Sequence, residues 1–162
     1  MTAPRFYFVV MSLVVAFWLG LGPLAATARA QPSASIIDDR ANSVGLWDVA
    51  AVEVNGRPVD PKMLAMLRVA YRADGSWAVY FKSLPVAEGT STNRQDELPK
   101  TFEMATLGSE GVKPSRYTGI YKQDGDTRVL CFIADGKPRP NEFAAPGNSG
   151  RTLVTLKRAQ EP

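Results

Sequence analysis

Short apolar runs separated by turn-forming residues make up most of the chain after Gly45. The runs are rich in Val, Tyr, Phe, Trp and Thr, and Gly, Pro, Asn and Asp lie between them, which is typical of successive β-strands. We predict eight strands, at about 45–54, 68–73, 76–82, 86–92, 100–107, 115–122, 127–134 and 151–158. No connection has room for a crossover helix between parallel neighbours, so the predicted sheet is antiparallel.

Two connections carry a strong hairpin signal. Asp74-Gly75 and Asp124-Gly125 each lie between aromatic-rich runs. Glycine readily adopts the positive φ that a tight hairpin turn requires. We therefore predict that the second and third runs, and the sixth and seventh, pair as hairpins.

One short helix is predicted after the first strand. Asp60 is a suitable N-cap, Pro61 suits the first helical position, and 62–67 contains good helix formers. Met63, Leu64 and Leu67 would lie on one face, which could cover one end of a curled sheet.

Alternation within the strands predicts one buried face for each of them. The candidate interior residues are Trp77, Val79, Phe81, Phe102, Met104, Val129, Cys131 and Ile133. Eight antiparallel strands can hide their edges as a two-sheet sandwich or as a closed barrel, and the pattern alone allows both.

The first 30 residues have the pattern of a secretory signal. Arg5 precedes an apolar run over 6–19, and Ala28-Arg29-Ala30 is a small-x-small cleavage site. We predict a signal peptide at 1–30, export to the periplasm or the extracellular space, and no stable membrane span after cleavage. The alternative is a retained anchor, because the apolar stretch nearly reaches the roughly 20 residues that span a bilayer.

The remaining 132 residues are enough for one compact domain but not for two. We divide them into a flexible leader at 31–44, the β-domain at 45–158 and a tail at 159–162. After signal removal, 17 basic residues face 16 acidic ones, and the basic residues are dispersed. Nucleic acid is therefore not an expected partner. Cys131 is the only cysteine, so no intrachain disulfide is possible, and we expect a monomer with a buried thiol.

The first and last strands carry a resemblance to lipocalins. Gly45-Leu46-Trp47 resembles the G-x-W signature of that family, in which the tryptophan closes one end of an eight-stranded barrel. A basic residue of the last strand packs over this tryptophan in the family, and Arg158 is placed to do so here. A guanidinium over an indole face is favourable by roughly 0.5 to 2 kcal/mol.

The order of motifs along 43–158 is more specific. It is similar to that of a lipocalin-like domain family of exported bacterial proteins, the planctomycete conserved hypothetical domain. The matching segments are 45–47, 52–58, 119–121, 124–126, 130–132, 139–143 and 153–158. The resemblance implies an eight-stranded antiparallel up-and-down barrel in the cell envelope. It implies no activity, ligand or catalytic residue, because none is established for the family.

The residue inventory argues against an enzyme and against a cofactor. The chain contains no histidine, which excludes Ser-His-Asp and Cys-His catalysis and the usual imidazole zinc sites. Asp38-Asp39 and Asp96-Glu97 are adjacent carboxylates in polar segments, where we expect solvation. Asp124-Gly125-Asp126 resembles part of a calcium loop but lacks the other ligands, so turn formation is the expected role.

Two non-enzymatic functions remain open, beside a less favoured third, an enzyme that uses carboxylates or tyrosines alone. The first is binding of a small hydrophobic ligand in an apolar pocket, with Trp77, Tyr80, Phe102, Met104 and Tyr121 as candidate ligand-binding residues. The second is a non-enzymatic interaction or structural module with a filled barrel that contacts an envelope protein or polysaccharide. The long connection at 135–150 is interpreted as a structural cover over one barrel end, with a functional loop as the alternative. A void of several hundred cubic ångströms would favour the carrier.

Overall fold

The computed structural model describes residues 39–108 and 113–160. Two short helices and nine strands are formed there. The helices are α1 (Asp39–Ser43) and α2 (Pro61–Leu64). The strands are β1 (Gly45–Val54), β2 (Arg57–Pro58), β3 (Leu67–Tyr71), β4 (Ser76–Phe81), β5 (Leu84–Arg94), β6 (Thr101–Thr106), β7 (Arg116–Asp124), β8 (Thr127–Ala134) and β9 (Thr152–Arg158). The predicted signal segment and leader up to residue 38 lie outside the described residues.

The eight long strands form a closed antiparallel barrel. Each strand from β3 to β8 pairs with the next one in the chain, and β1 pairs with both β3 and β9. The two-residue β2 pairs only with the end of β1. Closure of the wall by β1 and β9 distinguishes the barrel from a sandwich and confirms the predicted all-β fold.

All eight predicted strands are present, and both hairpin turns are confirmed. Gly75 and Gly125 have φ values of 86° and 52°, in the region that favours glycine. Asp74 assists the first turn, since its carboxylate accepts a hydrogen bond from the Ser76 amide at 2.8 Å. The hydrogen-bonded turn therefore fixes the register in which Tyr71 pairs with Trp77.

The two helices lie at opposite ends of the barrel, because α1 precedes the start of β1 and α2 follows its end. In α2 the Asp60 carboxylate accepts from the Lys62 amide, which confirms the predicted cap. The helix ends at Leu64, earlier than predicted. Leu64 is buried, Met63 is 52% exposed and Leu67 begins β3, so these three residues do not share one helical face.

The predicted inner face of β8 is wrong. Leu130 and Phe132 face the barrel interior, so alternation turns Val129, Cys131 and Ile133 to the outer side. Cys131 is nevertheless fully buried, because the 135–150 connection covers it and the Ala144 carbonyl accepts a 3.4 Å hydrogen bond from its thiol. An uninterrupted apolar run gave no polar position that would reveal which side faces inward.

The 135–150 connection covers the outer wall of β7 and β8. Pro140 and Ala145 of this connection are buried. Ile120 on β7 and Cys131 on β8 face outward from the barrel and are buried as well. Arg139 Nε donates to the Thr118 hydroxyl at 2.6 Å, which ties the connection to β7. The connection therefore encloses a small second core outside the barrel. The prediction of a structural cover is correct in kind, but the cover lies on the side wall.

The main core lies inside the barrel. Its buried residues are Trp47, Val49, Leu64, Val69, Phe102, Tyr121, Leu130 and Leu156. Within the described part of the chain, neither helix is long or apolar enough to cross a membrane.

Candidate functional site

An apolar cavity of about 330 Å³ lies inside the barrel. Seven of the eight long strands contribute to its wall, all but β1. The lining residues are Val69, Tyr71, Trp77, Val79, Ala87, Phe102, Met104, Thr106, Tyr117, Leu130, Phe132, Thr152, Val154 and Leu156. This volume falls at the lower end of the roughly 300–1,000 Å³ range of ligand pockets. The space suits one small apolar molecule.

Two inward-facing glycines make room for the aromatic lining. A Cβ on Gly89 would lie 2.4 Å from the Trp77 ring, and one on Gly119 would lie 2.6 Å from the Phe102 ring. Real Cβ atoms do not approach so closely. Glycine at these two positions therefore lets the large rings lie close to the backbone of the neighbouring paired strand.

The aromatic rings of the wall contact one another edge to face. The Phe132 ring centroid lies 5.6 Å from that of Tyr117 and 6.3 Å from that of Phe102, both nearly perpendicular. Phe102 makes a similar contact with Tyr121 at 6.3 Å. Such pairs contribute about 0.5–1.5 kcal/mol beyond their buried area and hold the rings in place.

The structure brings three of the five predicted ligand-binding residues to the cavity. Trp77, Phe102 and Met104 line it. Tyr80 does not, and its hydroxyl accepts a 3.4 Å hydrogen bond from exposed Arg72. Tyr121 faces inward but lies outside the lining, at the end of the barrel covered by α1. Its hydroxyl donates to the Asp39 carboxylate at 3.2 Å.

The α1 end of the barrel is closed by Trp47 and Arg158. Trp47 is fully buried, and its indole Nε1 donates to the Ser43 carbonyl at 2.8 Å. The Arg158 guanidinium lies over the indole, 4.5 Å from the ring centroid, and donates to the Val44 carbonyl at 3.1 Å. These contacts join the last turn of α1, the start of β1 and the end of β9.

The Asp39 carboxylate anchors the other side of α1. It is buried and forms an ion pair with Lys100, which precedes β6. The helix was not predicted, since 31–44 was assigned to a flexible leader. Five residues form an isolated helix poorly, so α1 depends on these tertiary contacts, which its own sequence does not reveal.

Arg128 is the residue that sequence reasoning missed. Only 1% of its surface is exposed, and its inward direction follows from the alternation that also turns Leu130 and Phe132 inward. The guanidinium carbon lies 4.8 Å from the Tyr71 ring centroid and 5.1 Å from that of Tyr121. Within the described residues, Nε and Nη1 are buried without a hydrogen-bond partner. The sequence feature that could have indicated this burial is the alternation that puts Arg128 on the same side of β8 as Leu130 and Phe132.

Burial controls the two perturbed acids of this region. Desolvation raises the pKa of the Tyr71 phenol, and the positive charge of Arg128 opposes this only in part. Desolvation also raises the pKa of the Cys131 thiol. Both groups therefore stay neutral at ordinary pH, and neither supplies a negative charge near the cavity.

The predicted carboxylate pairs serve structural contacts. Asp39 is paired with Lys100, and Asp38 lies outside the described residues. Glu97 accepts a 2.7 Å hydrogen bond from the Thr101 hydroxyl. Asp126 accepts one from Arg158 Nε at 3.0 Å, so it supports the turn and the closed end. Among residues 39–108 and 113–160, no group of three or more Cys, Asp or Glu side chains is placed to hold a metal ion.

The charged residues of the 135–150 connection pair with the barrel wall and its neighbours. Arg139 lies 3.5 Å from a Glu103 oxygen and 3.7 Å from a Glu97 oxygen. Glu142 pairs with Arg151 at 3.2 Å, and Lys122 lies over the Phe143 ring at 4.9 Å. The connection therefore uses its polar groups to hold its own position on the wall.

Comparison of the chain with protein-family models, curated proteins and solved structures finds no match.

Proposed function

We propose that the protein is an exported lipocalin-like carrier that binds a small hydrophobic ligand inside its barrel, in the cell envelope. The observation that carries this proposal is the apolar cavity of about 330 Å³. A barrel of eight strands is just wide enough to be filled by its own side chains, so a void of this size in its centre is informative. The signal-like N-terminal sequence supports the location.

The direction of access also supports a carrier. The cavity extends to Thr106, Tyr117 and Thr152, at the end of the barrel opposite α1. Leu84 and Leu107 are largely exposed at that same end. Exposed apolar side chains beside an apolar cavity offer a hydrophobic molecule favourable contacts as it approaches. The opposite end is closed by Trp47 and Arg158.

The proposal is tested by titrating the full-length protein with the neutral apolar dye N-phenylnaphthylamine. We expect saturable binding at one site, with enhanced dye fluorescence and a change in Trp emission because Trp77 lines the cavity. Ala87→Phe fills the cavity and should weaken binding about tenfold or more, equivalent to about 1.4 kcal/mol. Thr106→Phe, at the end of the cavity opposite α1, is a second variant with the same expected result.

Ala51→Phe is the matched control, because Ala51 is exposed on β1 and does not line the cavity. Its dye affinity should equal that of the unmodified protein. Absence of saturable binding to the unmodified protein, or equal affinity in folded Ala87→Phe, would overturn the proposal and favour an interaction module with a functionally closed barrel.

A further inference from the structure

Arg128 places a positive charge inside the barrel without a compensating negative charge. It is 99% buried, and among the described residues it forms no ion pair with a carboxylate. Removing an ion from water costs several kcal/mol, which buried arginines usually recover through paired acids and hydrogen bonds. The Nε and Nη1 atoms of Arg128 have no paired acid and no hydrogen-bond partner among the described residues. Its two stacked tyrosine rings recover only part of that cost.

The acidic groups that ring contacts place beside Arg128 are engaged or neutral. Tyr71 remains protonated because burial raises the pKa of its phenol. The Tyr121 hydroxyl donates a hydrogen bond to the Asp39 carboxylate, and the Asp39 charge is matched by Lys100. One positive charge is therefore left over at this end of the interior.

The uncompensated charge adjoins the cavity. Three neighbours of Arg128 belong to the cavity wall: Tyr71 stacks on its guanidinium, Leu156 is its Cα partner on β9, and Leu130 is the next inward residue of β8. Arg128 itself and its other ring contact, Tyr121, lie just beyond the lining residues. Arg128 thus lies just beyond the α1 end of this apolar space. A ligand that enters tail or head first meets one cationic group and otherwise only apolar side chains and a few hydroxyls.

We propose that Arg128 receives the carboxylate of an amphiphilic ligand whose hydrocarbon tail occupies the barrel cavity. This inference rests on the proposed carrier function and specifies its ligand class as a medium-chain monocarboxylic acid. A planar guanidinium matches a planar carboxylate in both geometry and charge, and their hydrogen bonds are about twice as strong as neutral ones. A single negative charge balances the single charge left over. The 330 Å³ volume matches a medium-length tail better than a long one.

The test compares decanoate, decanol and decyl phosphate as competitors of the neutral dye on the full-length protein. The three share one tail and differ in head group. We expect decanoate to displace the dye at a concentration about tenfold or more below that of the other two. In Arg128→Met this preference should disappear, with decanoate weakened about tenfold and decanol changed by less than about threefold.

Arg116→Met is the matched control, because Arg116 is exposed on β7 beside the lining residue Tyr117. It should retain the preference for decanoate. If Arg128→Met does not fold, the comparison in the unmodified protein and in Arg128→Lys decides the outcome, since lysine keeps the charge and should keep the preference in reduced form.

The outcomes separate the two proposals. If dye and decanol bind but decanoate has no advantage, the carrier stands and the role of Arg128 is overturned. Tighter binding of decyl phosphate than of decanoate overturns the carboxylate assignment. If the dye and all three competitors fail to bind, the carrier proposal itself fails.

Discussion

The Arg158 guanidinium lies 4.5 Å from the ring centroid of Trp47 and so joins the first and last strands of the domain. The two residues are direct Cα partners in the β1–β9 pairing. Arg158 also donates to the main-chain carbonyls of Val44 and Asn42, next to the end of α1. One side chain thus stabilises the buried tryptophan, the helix end and the seam between the first and last strands.

Arg158→Met should lower the free energy of unfolding by about 1–3 kcal/mol, because it removes the cation–π contact and the hydrogen bonds to main-chain carbonyls. Urea unfolding followed by Trp fluorescence measures the change. The exposed Arg116→Met should stay within about 0.5 kcal/mol of the unmodified protein. Equal stability of the two variants would contradict a structural role for the Arg158–Trp47 contact.

Gly119→Ala should destabilise the barrel by about 1–3 kcal/mol, as overpacking of a core does. The added Cβ would lie 2.5 Å from the Cys131 carbonyl oxygen and 2.6 Å from the Phe102 ring. Thermal unfolding gives the stability change, and dye titration shows whether displacement of Phe102 alters the cavity. Gly147→Ala serves as the control, because its nearest contact would be 4.0 Å away. A Gly119→Ala protein as stable as Gly147→Ala would show that the wall is looser than the structure indicates.

Lys100→Met should cost about 1–3 kcal/mol, because it leaves the buried Asp39 carboxylate without its counter-charge. Hydrogen exchange at the α1 amides should accelerate in this variant, since Asp39 anchors the helix. The exposed pair Arg68–Asp48, at 3.0 Å, provides the comparison. Arg68→Met should cost less than about 1 kcal/mol and leave exchange in α1 unchanged. Unchanged exchange in Lys100→Met would rule out the anchoring role.

Stability should fall as the pH rises above about 10. Burial raises the pKa of Tyr71 in the folded state, so the unfolded chain loses the phenol proton at a lower pH than the folded protein does. The contribution of Tyr71 to the free energy of unfolding is fully present below the ordinary tyrosine pKa. It is lost as the pH rises through the raised pKa of the folded state, and the free energy of unfolding then falls by up to about 1.4 kcal/mol per pH unit. The raised pKa of the Cys131 thiol lowers the free energy of unfolding in the same way, beginning above about pH 8.5.

The check is urea unfolding over an alkaline pH series. Tyr71→Phe should flatten the slope above pH 10, whereas Val69→Ala, a shortened apolar residue on the same strand, should lower stability by a similar amount at every pH. A steep slope that persists in Tyr71→Phe would assign the alkaline loss to other groups.

Strand positions were predictable because turn residues and apolar runs are local signals. Asp74-Gly75 and Asp124-Gly125 determine their hairpins through glycine φ and side-chain hydrogen bonding, which depend only on neighbouring residues. The faces of β4 and β6 followed from alternation, and Trp77, Phe102 and Met104 accordingly line the cavity. The inner side of β8 was not predictable in the same way, because both of its faces are covered.

The features that were missed depend on contacts between distant parts of the chain. Arg128 looks like an ordinary polar residue beside a turn, and its burial is set by Tyr71 and Tyr121 from two other strands. Helix α1 requires Lys100 and Trp47, which no local pattern links to it. The cavity depends on how seven strands curve together, which composition does not specify.

The pairing of β1 with β9 has a consequence for the synthesis and folding of the chain. These strands are separated by nearly the whole domain, so the wall stays open along one line until the final residues are available. A chain shortened before Thr152 would expose two unpaired strand edges, one on β1 and one on β8, together with the apolar cavity lining. Unpaired edges are templates for association with other chains, so premature termination would produce an aggregating species in place of a smaller folded domain.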